Sequence, residues 1–278
     1  MEHAYKVAAK LGKALIERDK PEDAKHLTAT QVVVVRGEYD RGEAIFGLCE
    51  IRHTTIDPGQ VAKVGLDPDQ IVFVNCPGNL DARGLEKVRS FVEQGGMLVT
   101  TDWALRGVVE KAFPGVIAYN GRATADDVVR VVFERGVEDG FLDGLLDPAD
   151  DPLWWLEGSS YPIRILQPDR VKVLVSSQEM ATKYGEAPIV TTFEVGQGQV
   201  YHLTSHFYLQ RTETRTQRHA ASATDYLAQK KARLDGFAAG DLERANVTEV
   251  QSAYTSARAM QNLCIAQSKK VTSRRGLG

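Results

Sequence analysis

Two short apolar runs without period-2 alternation, Ile71–Val74 and Met97–Thr101, flank a segment of helical periodicity at roughly residues 81–94 and a Gly95-Gly96 break. Runs of this kind mark strands covered on both faces, as in a parallel sheet. A tight polar turn, Asn75–Asn79, follows the first run, and Asp102-Trp103 ends the second. Ligands of open α/β sheets bind beyond the carboxyl ends of the strands. Asn75, Cys76, Thr101, Asp102 and Trp103 are therefore expected on one rim.

The same reading extends along the chain. Val7, Leu11, Ala14 and Leu15 form the apolar stripe of a helix over residues 1–27, broken at Lys20-Pro21. Gln31–Val35 is a β-branched strand, Ala44–Ile51 a second extended segment, and Gln60–Val64 a short helix. Residues 104–112 read as helix and 116–119 as strand. Thr124 and Asp127 have capping-box spacing, which favours a short helix over the β-branched Val128–Phe133. The acidic stretch 136–151 lacks the D-x-D-x-D-G order of a calcium loop and reads as a solvated loop around a short helix. Leu153-Trp-Trp-Leu156 reads as a hydrophobic loop in which a tryptophan packs into the core. Strands follow at 171–176, 188–193 and 199–204, with Gly196-Gln-Gly198 as a hairpin turn rather than a phosphate loop, because a strand and not a helix follows the glycines. Residues 216–266 are helical, divided at Gly236 and Gly240, and the last twelve are basic and frayed.

Composition narrows the classes. Of 278 residues, 43% are apolar and 26% charged, ordinary for a globular chain, and the formal net charge of −3 gives no general attraction to nucleic acid or an anionic membrane. No run approaches the ~20 apolar residues of a membrane span, and the N-terminal helix carries Lys6, Lys10 and Lys13 where a signal peptide would be apolar. Cys49, Cys76 and Cys264 are odd in number and far apart, which favours a reducing, cytoplasmic setting. Three residues are candidates for chemistry: Cys76 on its turn, and Asp102 with His206 as an acid–base pair at two strand ends. His202 shares the strand parity of His206 but lies deeper in the sheet. One carboxylate and one histidine fall short of the three protein ligands of catalytic zinc, so no metal and no cofactor is expected.

The strand-turn I-V-F-V-N-C-P-G-N-L, the helix-strand L-x-x-V-x-x-F-V-E-Q-G-G-M-L-V-T-T-D and the late F-E-V-G-Q-G-Q-V-Y-H-L-T-S-H together resemble the class I glutamine amidotransferase-like superfamily, particularly its ThuA-like branches. The resemblance covers about residues 29–210. It implies a three-layer, mostly parallel α/β sheet of flavodoxin-like kind, here preceded by an N-terminal helix (1–28) and followed by an α-helical C-terminal extension with a basic tail (211–278). Catalytic members carry a Gly-x-Cys-x-Gly elbow where this chain has Thr100-Thr-Asp-Trp-Ala104, and His206 is followed by Phe-Tyr rather than Pro-Glu. The resemblance therefore implies a pseudoenzyme: a ligand-binding or scaffold component of a cytoplasmic multiprotein system. Asn75, Cys76, Asp102, Trp103 and His206 would line a relic cleft, and the helices of 212–266 would hold a protein partner or a second copy. The alternative is a hydrolase or amidase that uses Cys76 or the Asp102/His206 pair.

Overall fold

The computed structural model describes residues 1–276. Its strands are β1 (Val32–Val35), β2 (His53–Ile56), β3 (Ile71–Val74), β4 (Met97–Thr101), β5 (Ile117–Tyr119), β6 (Asp127–Arg130), β7 (Val132–Phe133), β8 (Leu153–Leu156), β9 (Ile163–Ile165), β10 (Lys172–Ser176), β11 (Pro188–Val195) and β12 (Gly198–Leu203). Eight of them form one sheet in the order β2-β1-β3-β4-β12-β11-β10-β7. The β2-β1-β3-β4-β12 half is parallel throughout, and the β11-β10-β7 edge is antiparallel. Every residue of β1, β3 and β4 is buried, as their unalternating apolar sequences require. The architecture is thus mixed α/β around a large, mostly parallel sheet. Two small ribbons, β5-β9 and β6-β8, lie beside it.

The helices are α1 (Glu2–Asp19), α2 (Pro21–Leu27), α3 (Gly42–Leu48), α4 (Ala82–Glu93), α5 (Glu110–Ala112), α6 (Gln178–Tyr184), α7 (Gln217–Ala220), α8 (Ala223–Gln229), α9 (Ala239–Glu243) and α10 (Val247–Arg274). Two apolar layers sandwich the sheet. One contains Val88, Phe91 and Val92 of α4 with Val72, Val74 and Leu98. The other contains α1, α3, α8 and α10 with Val32, Val34, Phe73 and Val99.

Four local expectations change. Residues 44–51 are not extended: α3 occupies most of them, burying Ile45 and Phe46, and the strand comes later, at β2. The 128–133 segment is strand, not helix, because Val128 and Val129 pair with Trp155 and Trp154 of β8. Thr124, instead of capping a helix, donates its hydroxyl to the Glu157 carbonyl. The presumed loop 153–156 is therefore β8, with Trp154 buried in the core and its indole donating to the Thr204 carbonyl at 2.9 Å. The acidic stretch 136–151 is partly sequestered: Asp147 and Asp150 bind Lys230 at 2.6 and 2.7 Å, and Asp150 also takes Arg218 at 3.1 Å.

The segment after residue 210 packs against the rest of the chain. Every residue of α10 from Val250 to Ile265 is buried, and its apolar side chains belong to the same core as α1 and the sheet. Several of its buried polar side chains donate to backbone carbonyls. Arg258 donates to Asp143 and Gly12, Gln261 to Ala9, Asn262 to Phe141 and Asp143, and Gln267 to Pro68. The basic tail is not frayed at its start. The helix runs to Arg274, and Arg274 and Arg275 both pair with Asp69. Leu277 and Gly278, the end of that tail, lie outside the described residues.

Candidate functional site

Register sets the rim. Val74 is level with Thr100, and Thr101 with Leu203, so the turns after β3, β4 and β12 leave the sheet side by side. After β3, the Asn75 amide accepts from the Gly42 N–H at 2.9 Å and donates to Glu43 at 3.1 Å, which fixes the loop before α3. The Cys76 N–H donates to Thr101 Oγ1 at 3.0 Å, and its carbonyl accepts from Glu38 N. A Cβ on Gly37 would stand 2.3 Å from that carbonyl, so only glycine admits this close approach. The Cys76-Pro77 peptide is cis.

After β4, Asp102 adopts φ 45°, a left-handed conformation sparsely populated by non-glycine residues and found at strand-to-helix elbows. Its N–H donates to the Leu203 carbonyl at 2.9 Å. Its carboxylate accepts from Ser160 Oγ at 3.0 Å and from the Tyr161 N–H at 2.8 Å. After β12, Ser205 at φ 68° turns the chain, and His206 swings over the ends of β3 and β4. Strand parity does not carry through that turn. His202 stays inside the sheet, bonded to Thr100 Oγ1 at 2.8 Å, and takes no part in the site.

The result is a compact cluster. One donor atom each from Cys76, Asp102 and His206 all lie within 4.8 Å of one another. His206 Nε2 is 3.8 Å from Asp102, and His206 Nδ1 is 2.5 Å from Glu157. Asp40, buried on the loop after β1, faces the same ring electrostatically. Burial pushes the Asp102 carboxyl up to about 6, against the pull of His206. Burial likewise raises Asp40 and the Cys76 thiol, the latter despite its bond to His206. His206 loses basicity to burial, but Cys76, Glu157, Asp40 and Asp102 more than restore it and hold the ring well above the ordinary histidine range.

All five residues expected on the rim are there, but four are closed off. Cys76, Asp102 and His206 are 1, 3 and 4% exposed, and Asn75 is fully buried. Only Trp103 reaches the surface, within an aromatic strip that sequence reasoning did not assemble. Tyr39, 55% exposed, meets Trp103 edge-on at 5.2 Å, Trp103 stacks on Tyr161 at 5.6 Å, and Tyr161 stacks on Tyr119 at 4.0 Å. Asp40, Glu157, Ser160 and Tyr161 were also missed. They sit in irregular segments whose place is set by long-range packing, and no local spacing marks them.

No family model matches the chain, and no curated protein matches it. Among solved structures, similarity is found to a β-galactosidase from Rahnella sp. R3, at 14% identity and TM-score 0.47, over 67% of this chain and 29% of that one. It is also found to a cytoplasmic protein of Salmonella typhimurium, at 12% identity and TM-score 0.46, over 68% and 92% of the two chains. A third is a ThuA-like protein from Bacteroides uniformis, at 14% identity and TM-score 0.43, over 63% and 81%. This chain thus spans less than a third of the β-galactosidase. Likeness at this level does not establish a family. Among the described residues, no helix is long and apolar enough to cross a membrane.

Proposed function

We propose that this chain is a non-catalytic, amidotransferase-like binding module, with its former catalytic centre converted into a closed polar cluster and its binding surface moved outward to the aromatic strip. One observation carries the reading. The elbow after β4 keeps its left-handed turn, yet it presents an aspartate at 3% exposure whose two oxygens are already engaged by Ser160 and Tyr161. A carboxylate so held is no acyl-transfer nucleophile. Cys76, the other candidate, is as deeply buried, with its thiol pushed toward the neutral form. The Tyr39, Trp103, Tyr161 and Tyr119 rings supply large, rigid contact area for a planar or apolar partner group. The three free cysteines, all buried, suit a reducing compartment such as the cytoplasm.

Ammonia release from glutamine tests this directly. We expect the purified 278-residue chain to release none above buffer, and Cys76→Ala and Asp102→Asn to change nothing. Turnover abolished by either single substitution would overturn the reading. A second reading, hydrolysis by a Cys76–His206 pair, draws on their placement in one cluster. It requires the cluster to open, and it predicts activity toward amide or ester substrates that disappears in Cys76→Ala.

A further inference from the structure

We infer that Cys76, Asp102 and His206 form a binding site for a single transition-metal dication, best matched to Zn²⁺, that ties together the ends of β3, β4 and β12. The donor set is one thiolate sulfur, one carboxylate oxygen and one imidazole nitrogen, each from a different strand end and all within 4.8 Å of one another. Zinc takes S, N and O ligands at about 2.0–2.3 Å in a tetrahedron, which spaces its donors about 3.3–3.8 Å apart. His206 Nε2 and the Asp102 carboxylate already stand 3.8 Å apart. Softness excludes the hard oxygen-seeking ions: a thiolate and an imidazole select zinc or its neighbours over Mg²⁺ or Ca²⁺.

Two independent observations point to a cation rather than to a merely packed polar trio. The first is His206 Nε2. This atom is buried and faces the other two ligands: no nitrogen or oxygen hydrogen-bonds to it, and the group it interacts with is the Cys76 thiol. The ring's other nitrogen is held by Glu157 at 2.5 Å, and a carboxylate on the far side of a histidine is the arrangement that orients metal-bound imidazoles. The second is the balance of charge. Asp40, Asp102 and Glu157 surround one imidazole, and among the described residues no lysine or arginine forms an ion pair with any of them. Asp40 Oδ2 is itself buried and unpartnered. Buried charges are ordinarily paired or bound to a metal. A dication at Nε2 would replace the single positive charge of the imidazolium with two, and would displace both the Nε2 proton and the thiol proton to solvent.

Asp102 is prepared for the role. Ser160 Oγ and the Tyr161 N–H each hold one oxygen, which leaves a lone pair on Oδ2 free toward the ring. Local spacing pairs Asp102 with His206 but not with Cys76, which lies twenty-six residues before Asp102 on the turn after a different strand. Only the parallel β3-β4-β12 order brings it in.

The test uses the whole 278-residue chain, stripped by chelator under reducing conditions and titrated with Zn²⁺ against a chromophoric chelator. One equivalent should bind. Affinity should fall by about 100-fold or more in Cys76→Ser and His206→Gln, and by about 10- to 100-fold in Glu157→Gln, where only the orienting partner is lost. Co²⁺ substitution should give a thiolate-to-cobalt charge-transfer absorption that Cys76→Ser removes and that Cys49→Ser and Cys264→Ser retain. Less than one equivalent bound, or variants that match the wild type, overturns the site. Should the variants fail to fold by circular dichroism, X-ray absorption on the zinc-loaded wild type decides alone: one sulfur neighbour supports the site, and a shell of only nitrogen and oxygen overturns it. The inference does not depend on the non-catalytic reading, since ammonia release reports on that one and metal stoichiometry on this.

Discussion

Burial decides what the chemistry-bearing residues can do. Cys76 sits two residues past a strand end, where thiols are often reactive, yet it is 1% exposed and its thiol is raised by burial. Thiolate character and access together govern alkylation, so in the native, metal-free protein Cys76 should react with iodoacetamide no faster than Cys49 or Cys264, which are also buried. Peptide mapping after timed labelling checks this, and rapid, selective modification of Cys76 would show an accessible thiolate. His202 gives a pH signature. Burial depresses its pKa from 6.5 to about 3. The unfolded chain therefore takes up a proton below pH 6.5 while the folded chain does not, so stability is full above that pH and declines as pH falls toward 3. Replacing this residue, His202→Gln, should flatten the acid limb of the denaturation free energy by up to about 1.4 kcal/mol per pH unit. Urea melts at pH 7, 6, 5 and 4 read that slope.

Between elements, close backbone approach matters more than side-chain chemistry. The hairpin glycine Gly198 lies where β12 passes under the end of α4: an added Cβ would stand 2.0 Å from the Val92 carbonyl oxygen and 2.4 Å from that of Gly96. Neither neighbour is a movable side chain. Gly198→Ala should destabilise by about 3 kcal/mol, the upper end for overpacking, whereas Gly59→Ala, with nothing within 4 Å of its Cβ, should stay within about 0.5 kcal/mol of wild type. Equilibrium urea denaturation of both variants makes the comparison. Helix α10 shows the converse device. Arg258, Gln261, Asn262 and Gln267 let a polar helix be buried on all sides, because each closes a carbonyl of α1 or of a neighbouring loop.

At the scale of the molecule, a shared core predicts cooperative unfolding. The first and last long helices, α1 and α10, pack on each other and share a core with the central strands. A chain ended at residue 245 would expose that core along the whole length of α10. Such a truncation should lose near-ultraviolet circular dichroism and bind a hydrophobic dye, although it retains every strand of the sheet; a cooperative melt in the truncated chain would show that the sheet stands alone.

Local pattern was enough for β1, β3, β4, α4 and the β11-β12 hairpin, because burial on both faces and amphipathic periodicity are written into neighbouring residues. It was also enough to place Asn75, Cys76, Asp102, Trp103 and His206 at strand ends. It misjudged 44–51, 124–133 and 153–156, where short apolar runs satisfy helix and strand alike and distant pairing chooses between them. It found the helix of α10 but not its burial, since polarity normally means exposure and here several buried polar groups donate to carbonyls far along the chain. Whether five rim residues make a cleft or a sealed cluster depends on strand order and on a covering segment at 157–161. These are long-range consequences of packing that no window of sequence contains.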